Sequence, residues 1–258
     1  NRCMAICALV LEHREPSWVA LSQALIQILS RIELGPSASM LDSEYDPSSR
    51  QFSSLGSLIS EIIAASSLVK NEVQVAQKKI LLSRFQTDLW ELIDKNPLIG
   101  VSAPTSAGKS YVLVNKIIDT LSKGDGEVIY VVPTISLIAQ VTADIRTALK
   151  FFGISKYNVF QTFSEDRKNE RGSEIYVLTQ ERALSAFSQT KKPFERIKLL
   201  VVDEIQNIER VADSNDERAH ILFDVIQNFK ELNPAKIIIS GPRIRDIESF
   251  SKDLLGKN

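Results

Sequence analysis

The 258 residues carry 31 Lys and Arg against 32 Asp and Glu, a formal net charge of −1. That balance excludes an acidic tail protein and a polycation that grips nucleic acid by bulk charge. A 44% hydrophobic and 24% charged composition is that of a soluble globular chain of one or two domains, and two cysteines with two histidines supply neither a disulfide framework nor a four-ligand zinc set.

The chain begins at Asn1, which reads as a piece of something longer. The apolar opening from Met4 to Leu11 ends at His13-Arg14-Glu15, too short to cross a bilayer, and no basic lead or cleavage site marks a signal peptide. The expectation is an intracellular protein, cytoplasmic or, in a eukaryote, nuclear, with no membrane partner. Cys3 and Cys7 lie four apart and read as small buried apolar residues rather than a metal or redox pair.

Apolar residues spaced by three and four around Trp18, Leu21, Leu25, Ile26 and Leu29 predict an amphipathic helix, with Pro16 near its start. Gly35-Pro36-Ser37 breaks the pattern, and the polar stretch from Asp42 to Ser49 reads as a loop. A second helix is expected over 54–69 and a third from Glu72 through Lys79. From Leu98 the texture changes. Uninterrupted apolar runs at 98–101, 127–132, 174–178, 199–202 and 237–239 alternate with helical stretches near 109–122, 135–150, 180–188 and 217–231. Such alternation predicts an α/β domain whose parallel sheet is covered on both faces.

Two segments carry chemistry. Ala103-Pro104-Thr105-Ser106-Ala107-Gly108-Lys109-Ser110 follows the first of these strands and opens a helix, the context of a phosphate-binding loop. There, backbone N–H groups and a helix N-terminus surround phosphate oxygens, Lys109 adds a point charge, and the Ser110 hydroxyl can ligate magnesium. Leu199-Leu200-Val201-Val202-Asp203-Glu204 places two carboxylates at the end of a strand, the edge at which open α/β sheets bind ligands. In a phosphate site Asp203 would hold magnesium, directly or through water, and Glu204 would act as general base.

With those segments in hand, the chain resembles the superfamily 2 helicases, in particular the Ski-type (superkiller) DExH branch and its relatives. The loop at 103–110 resembles motif I, with Ala103 where the strict pattern has Gly. Asp203-Glu204-Ile205-Gln206 resembles motif II, with Gln206 in the place of the common His. Phe85-Gln86 resembles the motif whose Gln reads the adenine edge. Val132-Pro133-Thr134 and Leu178-Thr179-Gln180-Glu181-Arg182 resemble motifs Ia and Ib, which hold a single strand by its backbone, although Gln180 replaces the usual Pro. Ser240-Gly241-Pro242 stands in the place of motif III, without its Thr.

The resemblance implies a RecA-like P-loop domain over 81–258, preceded by an all-α region over 1–80. It also implies a site set. Lys109, Asp203, Glu204 and Gln206 are catalytic; Gln86, Thr105, Ser106, Ala107, Gly108, Lys109 and Ser110 hold ATP; Ser110 and Asp203 hold magnesium; Pro133, Thr134, Thr179 and Arg182 contact single-stranded DNA or RNA. In the family a second RecA-like domain follows downstream and supplies an arginine finger, so the chain alone is expected to hydrolyse ATP poorly. The N-terminal helices are a candidate surface for a protein partner. The competing readings are a P-loop ATPase that acts on proteins and a catalytically silent motor serving as a scaffold.

Overall fold

A computed structural model describes residues 2–32, 34–44, 59, 62, 65, 66, 69–104, 107–164, 172–203 and 217–241. The chain divides into two compact units, Asn1–Gln74 with Lys78–Asp88, and Val75–Gln77 with Leu89–Asn258.

In the first unit, α1 (Arg2–His13), α2 (Val19–Arg31) and α3 (Gly35–Glu44) bury Cys7, Val10, Leu25, Leu29 and Leu41 against one another. Pro16–Trp18 forms a 3-10 turn leading into α2. Cys3 and Cys7 sit on α1; burial pushes the Cys7 thiol up, which keeps it protonated and unreactive. The predicted break at Gly35-Pro36-Ser37 is instead a helix start. Pro is tolerated in a first turn because its missing N–H has no intrahelical partner there. Of the helix expected over 54–69, Ile59, Ile62, Ala65, Ser66 and Val69 are helical, and the rest lies outside the described residues.

The third expected helix is a β-hairpin, β1 (Glu72–Val75) and β2 (Lys78–Leu81). Glu72-Val73-Gln74-Val75 alternates with a period of two, the signature of a strand rather than of a helix. The chain reverses at Ala76, whose φ is +51°, and the Lys79 ammonium reaches Glu72 across the hairpin at 2.5 Å. Among the described residues, the N-terminal region is helical before this hairpin and not through it. α4 (Arg84–Lys95) follows.

The second unit is built on β3 (Leu98–Ser102), β4 (Glu127–Val132), β5 (Tyr157–Phe160), β6 (Ser173–Thr179), β7 (Ile197–Val202) and β8 (Ile237–Gly241). They form one six-stranded sheet in the order β3-β8-β7-β4-β6-β5, and every pairing is parallel. The connecting helices are α5 (Lys109–Ser122), α6 (Ile135–Phe152), α7 (Gln180–Gln189) and α8 (Glu217–Glu231). From β3 to β5 the chain advances across the sheet, and from β6 to β8 it returns. Right-handed crossovers then place α5 and α6 on one face and α7 and α8 on the other.

Alternate residues along each strand serve the two faces. Ile129, Leu178, Leu200 and Ile239 meet Leu222, Val225 and Phe229 of α8, together with a cluster of aromatic rings. In that cluster Phe194 lies edge-on to Tyr176 at 4.9 Å and stacks on Phe229 at 5.6 Å. All five predicted strands and all four predicted helices of this unit are present. β5 was not foreseen, because Tyr157-Asn158-Val159-Phe160 is a half-buried edge strand with little apolar run. Phe160 packs against the core, whereas Phe151 is 56% exposed at the end of α6.

At the amino edge of the sheet, Glu127 Oε2 accepts the N–H groups of Glu195 and Arg196 at 2.8 and 2.7 Å, fixing the entry to β7. Burial first, with the Glu174 carboxylate adding to it, pushes the Glu127 pKa above its ordinary 4.5, against the lowering by the two N–H donors. The folded chain therefore holds this proton more tightly than the unfolded chain. Its contribution to stability is complete below pH 4.5 and is lost as pH rises through the raised folded value. In urea titrations across that window, Glu127→Gln is expected to flatten this slope while its amide oxygen keeps both bonds. Glu127→Ala, which leaves two exposed N–H groups to water, should cost about 1 kcal/mol, the net worth of a hydrogen bond.

Candidate functional site

Parallel pairing brings the ends of β3, β8, β7, β4 and β6 to one edge, and the sequence places its polar segments there. β3 runs out at Ser102, and the Ala103 N–H donates to the Gly241 carbonyl at 3.2 Å, tying the loop to the end of β8. Ala107 closes a turn onto the Pro104 carbonyl at 3.1 Å. Gly108 then caps α5 with φ +74°, a left-handed conformation that glycine adopts without penalty. The turn delivers the chain into α5 with the first N–H groups of the helix facing the loop. Thr105 and Ser106 lie outside the described residues.

Lys109 is buried at 5% exposure, and its ammonium donates to the carbonyls of Ala103 and Pro104. With Ser110, Asp203 and Gly241 it lines one cavity of about 330 Å³. Pro133 and Asp144 complete the wall from the side of α6. The cavity thus combines a cation, a hydroxyl, a carboxylate and a helix N-terminus. That donor set fits a polyphosphate with a divalent metal: the ammonium and N–H groups for the phosphate oxygens, Ser110 and Asp203 for the metal.

Two residues outside the predicted site set also reach this edge, Tyr130, which lies in no motif, and Ser240 of the motif III segment. Tyr130 is fully buried in the middle of β4, and its hydroxyl donates to Asp203 Oδ2 at 2.8 Å. β4 and β7 are neighbours with Val131 opposite Val202, and the Asp203 N–H bonds the Val131 carbonyl at 3.0 Å. The orientation of Asp203 is therefore set by β4. The sequence did contain a signal: a tyrosine within an otherwise aliphatic buried run needs a partner for its hydroxyl. The second is Ser240, fully buried in β8, whose Oγ has no hydrogen-bond partner among the described residues. Ile239 pairs with Val202, so one step further along both strands brings Ser240 level with Asp203.

The residues assigned to a single strand begin two helices on the same edge. Thr134 caps α6, its Oγ1 accepting the Leu137 N–H at 3.4 Å. Thr179 caps α7 in the same way through the Arg182 N–H at 3.4 Å, and its strand partner is Val132, two residues before Thr134. The two helix N-termini thus stand on adjacent strands. Arg182 is drawn sideways, its Nη1 donating to the Gln161 carbonyl at 2.8 Å. Gln180 continues smoothly from β6 into α7 and is buried, so the missing Pro does not disrupt the backbone.

Gln86 forms a reciprocal cap at the start of α4: its Oε1 accepts the Ser83 N–H at 2.9 Å, and its own N–H reaches Ser83 Oγ at 3.4 Å. Its side chain therefore has a local structural partner in addition to any ligand. Glu204 and Gln206 lie outside the described residues, as does Pro242. Among the described residues there is no cluster of His, Cys, Asp or Glu that would hold a metal by itself, and no helix is long and apolar enough to cross a membrane.

Comparison with known proteins agrees with this geometry. The chain is 29% identical over 135 residues to Hachiman protein HamB of Bacillus cereus, covering 49% of this chain and 12% of that protein. It is 31% identical over 147 residues to putative helicase 7 of the Sulfolobus islandicus filamentous virus, covering 55% and 22%. The human protein named probable ATP-dependent RNA helicase DDX60-like is 28% identical over 130 residues, covering 49% and 8%. The chain thus spans less than a quarter of the length of these curated relatives. Among solved structures, the DUF1998 helicase MrfA superposes with a TM-score of 0.53 at 16% identity over 68% of this chain and 29% of its own. Yeast dbp5 does so at 0.51 and 18%, over 70% and 47%. At that identity the two structures speak to the fold alone, which is RecA-like. The family model described as DEAD/DEAH box helicase matches residues 83–240, more than half of the chain, and the chain belongs to that family.

Proposed function

We propose that this chain is the first motor half of an ATP-dependent helicase or translocase that moves on single-stranded DNA or RNA. The observation that carries the reading is the convergence of Lys109, Ser110 and Asp203 on one cavity, on the same sheet edge as the helix starts at Thr134, which is exposed, and Thr179, which is buried. A nucleotide site and a row of backbone N–H donors share one rigid sheet, which is the arrangement a motor needs to link hydrolysis to grip.

In this reading Lys109 and the N–H groups at 105–110 hold the β- and γ-phosphates of ATP, and Gln86 reads the base. Ser110 and Asp203 would hold a magnesium ion, which would supply charge neutralisation at the phosphate oxygens. Tyr130 keeps the Asp203 carboxylate turned toward that position. Glu204 orients and deprotonates the attacking water, and Gln206 relays the state of the γ-phosphate to the strand-binding edge. Pro133, Thr134, Thr179 and Arg182 shape the surface on which backbone phosphates rest, with the helix N-termini as donors. A second RecA-like domain closes the site and provides the arginine finger. We assign it to the Ski-type DExH branch; an Arabidopsis thaliana relative named DExH-box ATP-dependent RNA helicase DExH12, 25% identical over 158 residues (56% of this chain and 7% of that protein), supports the DExH part of that reading. The protein works inside the cell, where ATP is supplied.

Strand dependence is the deciding measurement. Addition of single-stranded DNA or RNA to the full-length protein should raise its ATPase rate, and a rate indifferent to both strands rejects the helicase reading. Glu204→Gln should abolish hydrolysis while leaving ATP binding within about threefold, since a general base contributes roughly 10²–10⁴-fold to rate and little to binding. Tyr130→Phe should lower magnesium-dependent nucleotide affinity but not affinity measured in chelator. Its effect on stability should stay near 1 kcal/mol, about the net worth of one hydrogen bond. Titrations of labelled nucleotide with and without magnesium would separate these effects.

A further inference from the structure

The carboxyl edge of the second unit includes one strand end that no motif marks, that of β5, which stands beside β6, where α7 begins. Phe160 opposite Tyr176 is the last pair of the β5-β6 register, so Gln161 is the first residue past the ladder. The chain there is nonetheless held. The Phe160 ring lies tilted on Tyr176 at 5.3 Å, and Phe163 meets Phe194 edge-on at 5.5 Å. Between these two anchors the Gln161 side chain reaches α6, its Nε2 donating to Thr142 Oγ1 at 3.3 Å. Thr142 is 2% exposed, on the stretch of α6 whose Val141 and Asp144 wall the nucleotide cavity.

An amide at a solvent-facing strand end gains little from such a tie, because water would bond it about as well. What the tie fixes is the main chain of the same residue. The Gln161 carbonyl accepts the Arg182 guanidinium at 2.8 Å, while the Arg182 N–H goes to the Thr179 cap at 3.4 Å. Arg182 is thus held at both ends, by the start of α7 and by the end of β5. Among the described residues its guanidinium is paired with this neutral carbonyl and with no carboxylate, so its charge is left for a ligand. A long cationic side chain ordered in advance loses less rotamer freedom when it meets a phosphate, and so binds it more tightly.

We propose that Gln161 is a positioning residue for strand binding: anchored on Thr142, it presents the carbonyl that holds the Arg182 guanidinium at the outer end of the strand-binding edge, set for a backbone phosphate. The inference rests on the assignment of Arg182 to the strand. Gln161 touches no part of the strand in this scheme and acts through Arg182.

The test is the affinity of the full-length protein for labelled single-stranded oligonucleotides, DNA and RNA in turn, across a salt series. The variants are Gln161→Leu, Thr142→Val, Arg182→Ala, and Arg182→Ala combined with each of the first two. Gln161→Leu and Thr142→Val remove one bond from its two ends; Gln161 is exposed and Val matches Thr in shape, so the core stays filled. Each should weaken strand binding about fivefold, the scale of ordering one arginine afresh. The salt slope should stay that of the parent, since the charge is still present, whereas Arg182→Ala should lower it by about 0.7, one phosphate contact. In the Arg182→Ala background neither change should weaken binding further. Affinity for magnesium nucleotide without strand should stay within about twofold in both.

Undiminished effects in the Arg182→Ala background overturn the relay. So does weakening by Gln161→Leu alone, which would put Gln161 itself on the strand. Parent-like binding in both variants, alongside weakened binding in Arg182→Ala, overturns the relay and leaves Arg182 its role. A parallel loss of nucleotide affinity shows a merely structural tie and also overturns it. Arg182→Ala with the affinity and salt slope of the parent overturns the assignment of Arg182 to the strand, and the relay with it.

Discussion

Parallel hydrogen bonding between β3, β8, β7, β4 and β6 is the constraint from which the rest of the second unit follows. Strands that run the same way cannot be joined by tight turns, so each connection must climb back over a face of the sheet. The helices that do so cover the sheet on both sides, and all strand ends collect on one edge. A loop after β3, a carboxylate after β7, a serine and glycine ending β8 and the caps at Thr134 and Thr179 are therefore neighbours without any sequence proximity. The edge is rigid because the strands beneath it are packed against two helical layers with almost no exposed area.

That rigidity matters for a site whose groups oppose one another in charge. Lys109 is held by carbonyls of its own loop, and Asp203 is held by the hydroxyl of Tyr130 and the backbone of β4. A ligand bearing both phosphate and metal therefore meets a cation and a carboxylate that the surrounding backbone and Tyr130 hold in place. The buried Ser240 hydroxyl beside Asp203 adds a third polar group on the same edge. The near-neutral net charge fits this picture, because grip by helix N-termini and preset side chains needs no bulk potential.

Hydrophobic periodicity made the layered α/β unit legible residue by residue. Runs such as Glu127-Val128-Ile129-Tyr130-Val131-Val132 are too short for helices and too uniformly apolar for exposed strands, and each lies where the structure has a buried strand. The same reasoning failed where burial is partial. A helix is expected from Glu72 through Lys79 although the alternation over Glu72–Val75 is that of a strand, and the edge strand at Tyr157 has no apolar run to reveal it.

The sequence by itself determined the chemistry and its local setting: a glycine at the one loop position that needs φ +74°, a lysine and serine opening a helix, and an acid closing a strand. Such features are encoded by neighbours in the chain, so short-range rules suffice to read them. Only the tertiary structure decided which of these segments meet, that Tyr130 aims Asp203, and that Gln161 ties the end of β5 to α6 and to Arg182. Those contacts join residues 19 to 73 positions apart. They depend on strand order and helix packing, which no local pattern specifies.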